Sequence, residues 1–85
     1  MGAAMTLSSL VLTLEDSAEQ RASVLALLER DARITLGTPF EERWLPVVAE
    51  TATAEEGESL ADFLRDLPGV RFLDVVMVDF SGEEH

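Results

Sequence analysis

Ser8-Ser9 is the first side-chain pair in this chain that could do chemistry. A serine becomes a nucleophile only beside a group that takes its proton. The 85 residues hold no lysine and a single histidine, His85, which is the last residue. Schiff-base and phosphate-gripping lysine chemistry is thereby excluded. There is no cysteine, so thiolate catalysis, disulfides and thiolate-bound metals are excluded too. Glu41-Glu42 and Glu55-Glu56 are paired carboxylates, but neighbours on a turn and at a helix start are expected to be solvated. The residues therefore predict no enzyme, no cofactor and no metal site.

What remains is charge and apolar surface. The net charge is -11, from 17 acidic and 6 basic residues; every base is an arginine. A field of that sign repels phosphate backbones, which argues against nucleic acid, and attracts a cationic partner such as a basic peptide. The length suits one domain, residues 1–85 with an ordered core over about 6–80. No stretch approaches the roughly 18 apolar residues of a membrane span. The start lacks the basic n-region of a secretory signal. Gly2 and Thr6 fit the myristoylation pattern, although Met5 could equally be the start.

The elements that must position these groups fall into two similar halves. "TLSSLVLTL" alternates as a strand over Leu7–Leu14, with Leu10, Leu12 and Leu14 on one side and Ser9, Val11 and Thr13 on the other. A helix follows, capped by Asp16 with Glu19 at the capping-box position; Ala18, Arg21, Val24, Leu25 and Leu28 recur at helical spacing. Strand two is expected at Arg33–Gly37 and strand three at Trp44–Glu50. Thr53 caps a second helix whose stripe is Leu60, Phe63, Leu64 and Leu67. Pro68-Gly69 stops it, and strand four is expected over Val70–Phe80. "SGEEH" reads as a frayed tail.

Strand–helix–strand repeated twice predicts an α+β, ferredoxin-like βαββαβ fold. Four antiparallel strands carry both helices on one face. That face should take Leu10, Leu12, Leu14, Ile34, Leu36, Leu45, Val47, Ala49, Leu73, Val75 and Met77. Alternation assigns Ser9, Val11, Thr13, Arg33, Thr35, Trp44, Pro46, Val48, Glu50, Phe72, Asp74, Val76 and Val78 to the other face, which nothing is left to cover; strand four is long enough that a bulge would shift its parity. An exposed patch of that size marks a partner site.

"SSLVL" as first strand, a short capped helix, the Gly69-Val70 entry to a valine-rich last strand and the acidic tail together resemble the NapD family. The resemblance spans about Thr6–Glu84. The family often reads Val-Tyr-His at the end of its last strand, where this chain has Val76-Met77-Val78-Asp79. The resemblance implies a ferredoxin-like cytoplasmic chaperone that binds the twin-arginine signal peptide of an exported molybdoenzyme, such as periplasmic nitrate reductase. Such a peptide needs an apolar platform and carboxylates for its guanidinium pair. The expected peptide-binding residues are Ser9, Val11, Thr13, Trp44, Val48, Glu50, Phe72, Asp74, Val76, Val78 and Asp79, with Glu41 and Glu42 nearby. The chain is expected to be a monomer or weak dimer without membrane insertion. The alternative function is a regulatory or assembly module that homodimerises through the same open face.

Overall fold

Strict alternation in the first strand sets the architecture. The structure, a computed structural model, describes the backbone of residues 5–81 and the side chains of residues 5–79; Gly2 of the myristoylation pattern and the tail from Gly82 to His85 lie outside them, while Ser81, expected in the tail, belongs to the last strand. In β1 (Met5–Leu14), Thr6, Ser8, Leu10, Leu12 and Leu14 are buried, and the residues between them are half-buried. The chain continues as α1 (Ala18–Glu29), β2 (Ile34–Leu36), β3 (Trp44–Thr51), α2 (Ala54–Arg65) and β4 (Val70–Ser81). The strands form one antiparallel sheet in the order β2-β3-β1-β4. This is the ferredoxin-like α+β arrangement. The two central strands, β1 and β3, supply Leu10, Leu12, Leu14, Leu45, Val47 and Ala49 to a core that Val24 and Leu28 of α1 and Leu60 and Leu64 of α2 close from one side. At about 1.5–3 kcal/mol for each large aliphatic side chain, this layer provides most of the folding free energy.

Turn chemistry explains the joints. Gly69 ends α2's connection with φ +101°, and a Cβ there would lie 2.7 Å from Val24 Cγ2. Both facts require glycine. Pro46 lacks an N–H, yet its carbonyl accepts from Gly37 N at 2.8 Å. N–H and C=O of one strand residue point the same way, so the missing donor faces β2's end and not β1.

Several sequence expectations need correction. Ser17, not Asp16, caps α1, its hydroxyl accepting from Gln20 N at 3.2 Å; the Asp16 carboxylate accepts from Arg43 at 3.1 Å instead. Thr53 caps α2 as expected, but Glu56 reaches back to Ala52 N (2.8 Å), one residue before the cap. Phe63 stands 53% exposed, because α2 buries only the strip through Leu60 and Leu64. Arg33 precedes β2 and turns to the helix side, where it meets Glu56.

The correction with most consequence lies in β4. Its pairing with β1 slips between Ser9↔Met77 and Leu10↔Val75, so Val76 is an extra residue, a β-bulge. Parity reverses beyond it. Met77, expected in the core, joins the open face. Val78, expected on the open face, pairs with buried Ser8 on the helix side.

Candidate functional site: the open face of the sheet

Register places the open-face side chains in rows across the strands. At one end Trp44, Thr13 and Phe72 form a row. Phe40, from the β2–β3 loop, stacks on Trp44 with ring centroids 5.7 Å apart. The Arg43 guanidinium lies 5.9 Å from the Trp44 ring centroid, within cation–π reach. Next come Pro46, Val11 and Asp74; then Thr35, Val48, Ser9 and Met77, with Val76 at the bulge; and last Glu50, Leu7 and Asp79. Neighbouring strands are about 4.8 Å apart, so the backbones of Glu50 and Asp79 stand about 10 Å apart across Leu7. The face grades from aromatic, through aliphatic, to acidic.

Exposure is highest along the edge strand β4. Phe72 is 59%, Val76 62% and Met77 57% exposed, and Trp44 and Val48 are over a third exposed. Ser9, Val11 and Thr13 are half-buried because β1 is flanked on both sides. The opposite face of β1 has its own polar stretch. Thr6, Ser8 and Thr51 are buried there, and a Cβ on Gly57 of α2 would stand 3.2 Å from Thr51 Oγ1 and 3.5 Å from Ser8 Oγ. Among the described residues, no buried side-chain nitrogen or oxygen lacks a partner.

The electrostatics single out the same face. Five of the six arginines are committed: Arg21 to Glu42, Arg33 to Asp31 and Glu56, Arg43 to Asp16, Arg65 to Asp62 and Arg71 to Glu15. Among the described residues no ion pair reaches Glu50, Asp74 or Asp79. The Arg33–Asp31 pair makes the most hydrogen bonds. Arg33 donates through its side chain to both Asp31 oxygens and through its backbone N–H. Those side-chain bonds, then the backbone bond, hold the Asp31 carboxyl below its ordinary value. The Glu41-Glu42 turn has left-handed backbone, φ 54° and 56°, and carries two more carboxylates beside the aromatic end.

Of the expected site residues, Ser9, Val11, Thr13, Trp44, Val48, Glu50, Phe72, Asp74, Val76 and Asp79 share this face, and Val78 does not. Met77 and Phe40 were missed. Phe40 could have been found from its spacing, four residues before Trp44 across an acidic turn. A groove of about 540 Å³ lies elsewhere, between the helices, and exposes Leu27 and Phe63. Its carboxylates, Asp31 and Glu56, are both occupied by Arg33, so it offers a cation less than the open face does. No group of three or more metal-ligating side chains occurs among the described residues, and none of their helices is long and apolar enough to cross a membrane.

No protein-family model matches the chain, and a search of the curated proteins returns no match. Among solved structures it is similar to "Crystal structure of PH0061", with a TM-score of 0.62 at 10% identity. The superposition covers 98% of this chain and 55% of that one; the chain spans about half the length of that protein. At this identity the likeness is one of fold.

Proposed function

We propose that the chain binds a basic, partly apolar segment of a partner protein on the open face of its sheet. In its narrower form, which rests on the NapD resemblance, the segment is the twin-arginine signal peptide of an exported redox enzyme and the chain is a maturation chaperone. One observation carries the proposal. Glu50, Asp74 and Asp79 stand without arginine partners beside exposed Trp44, Val48, Phe72, Val76 and Met77, while most arginines are engaged elsewhere. An apolar stretch would lie on the middle of the face and guanidinium groups would fork onto the carboxylates.

Calorimetric titration with a synthetic twin-arginine leader and with its Arg-to-Gln version tests the reading. Glu50→Gln with Asp74→Asn should weaken binding of the arginine peptide by about 1–3 kcal/mol. Val76→Glu should weaken it further, by setting a desolvated charge against the apolar stretch. Salt should weaken the complex without abolishing it, because charge pairs are screened over about 8–10 Å and apolar contacts are not. Equal binding of both peptides, or indifference to the three substitutions, rejects the reading.

A further inference from the structure

β4 carries the run Val75-Val76-Met77-Val78 between Asp74 and Asp79. A continuous apolar run is the mark of a strand covered on both faces. Here the same four residues are exposed on both, at 47%, 62%, 57% and 44% in chain order. Val76 and Met77 stand on the open face. Val75 and Val78 border a groove of about 390 Å³ on the helix side, which α2 lines with Ala54, Gly57, Glu58 and Ala61. β4 is also one of the two outer strands of the sheet, and among the described residues no strand pairs with its far backbone edge.

We propose that β4 is the docking edge, and that the partner segment binds there as an added fifth strand. This rests on the basic, partly apolar segment proposed above, and moves it from the middle of the open face to the sheet edge beside Asp74 and Asp79. The added strand would cover Val76 and Met77 with one set of its side chains and Val75 and Val78 with the alternate set. Its charge follows from the flanks. Across β1, Asp74 faces Val11 and Asp79 faces Leu7, four residues apart, because the bulge absorbs one. A regular strand on the other edge therefore sets residues four apart beside the two aspartates. The fitting segment is basic at both, with an apolar residue midway.

The same flanks exclude a second copy of the chain. Antiparallel pairing of two β4 strands about Val76 and Met77 would set Asp74 of each copy opposite Asp79 of the other. Like charges directly across a ladder are destabilising, and the net charge of -11 on each copy adds to the repulsion.

The test uses the full chain and nine-residue peptides with arginines at positions 3 and 7 and valine at 5. Calorimetry should show binding that falls at least tenfold with Asp74→Asn plus Asp79→Asn. It should fall as much when the arginines are set three apart, on opposite faces of an extended chain. N-methylation of one alternate set of peptide amides should abolish binding, and of the other set should leave it intact. If both methylated peptides bind like the parent while Glu50→Gln and Trp44→Ala weaken it, the segment lies on the open face but not as a strand. In that case the edge proposal fails and the wider reading stands. If no basic peptide binds, both fail. A stable dimer by sedimentation that Val76→Glu dissociates overturns the choice of occupant.

Discussion

Replacing Gly69 by alanine tests the joint between α2 and β4 on two counts. The residue sits at φ +101°, where an L side chain is strained by about 1–3 kcal/mol. Its new Cβ would also stand 2.7 Å from Val24 Cγ2, 3.0 Å from Gln20 O and 3.3 Å from Gln20 Cβ. Val24 is 2% exposed and has no room to swing away, so overpacking adds about 1–3 kcal/mol. The expected loss is about 2–6 kcal/mol, against a total of about 4–13 kcal/mol for a chain of this length. Urea denaturation measures it. A double-mutant cycle with Val24→Ala divides the two parts, because removing Cγ2 relieves the contact and leaves the backbone strain. Gly69→Ala should therefore be about 1–3 kcal/mol less costly in the Val24→Ala background. A loss below about 0.5 kcal/mol, or additivity within that margin, would refute the reasoning.

Leu64→Ala, at a side chain with no exposed surface, should cost about 2–5 kcal/mol by the same denaturation; under about 0.5 kcal/mol would mean α2 does not close the core. Asp31→Asn should cost about 0.5–1 kcal/mol, the scale for a partly exposed pair. Because the Asp31 carboxyl titrates below its ordinary 3.8 when folded, that stabilisation is complete above 3.8 and disappears as pH falls through the lower folded value. Melts of the two proteins should thus converge only in acid below that point. Glu41→Asn with Glu42→Gly fits residues that accept left-handed backbone to φ 54° and 56°, and should raise stability by about 1 kcal/mol. The lost Arg21–Glu42 contact, at 3.6 Å with Glu42 85% exposed, subtracts little. Destabilisation would show that the turn is shaped otherwise.

Much of the fold was legible because its signals are local and repeated. The period of two through Leu10, Leu12 and Leu14, the Thr53 cap, and Leu60 with Leu64 each name an element and a face. Most of the open face followed from the same alternation. The part that was not legible depended on register. A bulge at Val76 needs no glycine and leaves no residue signature, so counting by twos placed Met77 and Val78 on each other's faces. Asp16 and Ser17 are both competent caps with nothing local to separate them; Ser17 takes the cap and Asp16 meets Arg43, distant in sequence. Phe63 fits the helical stripe, but a sheet this narrow gives α2 too little surface to bury it.

The burial of Thr6, Ser8 and Thr51 makes the core unequal along its length. Leucines fill the end near Leu12 and Leu14, while hydroxyls and Gly57 fill the other. Hydroxyl burial contributes far less apolar transfer free energy than leucine does. The two ends should therefore open at different free energies, as cooperative units of unequal stability do. Amide hydrogens of Thr6 and Ser8 should exchange through local opening, while those of Leu12 and Leu14 wait for global unfolding. Glu50 and Asp79 stand at the less stable end, so the acidic part of the face is held by the portion of the sheet that can breathe while the fold stays intact.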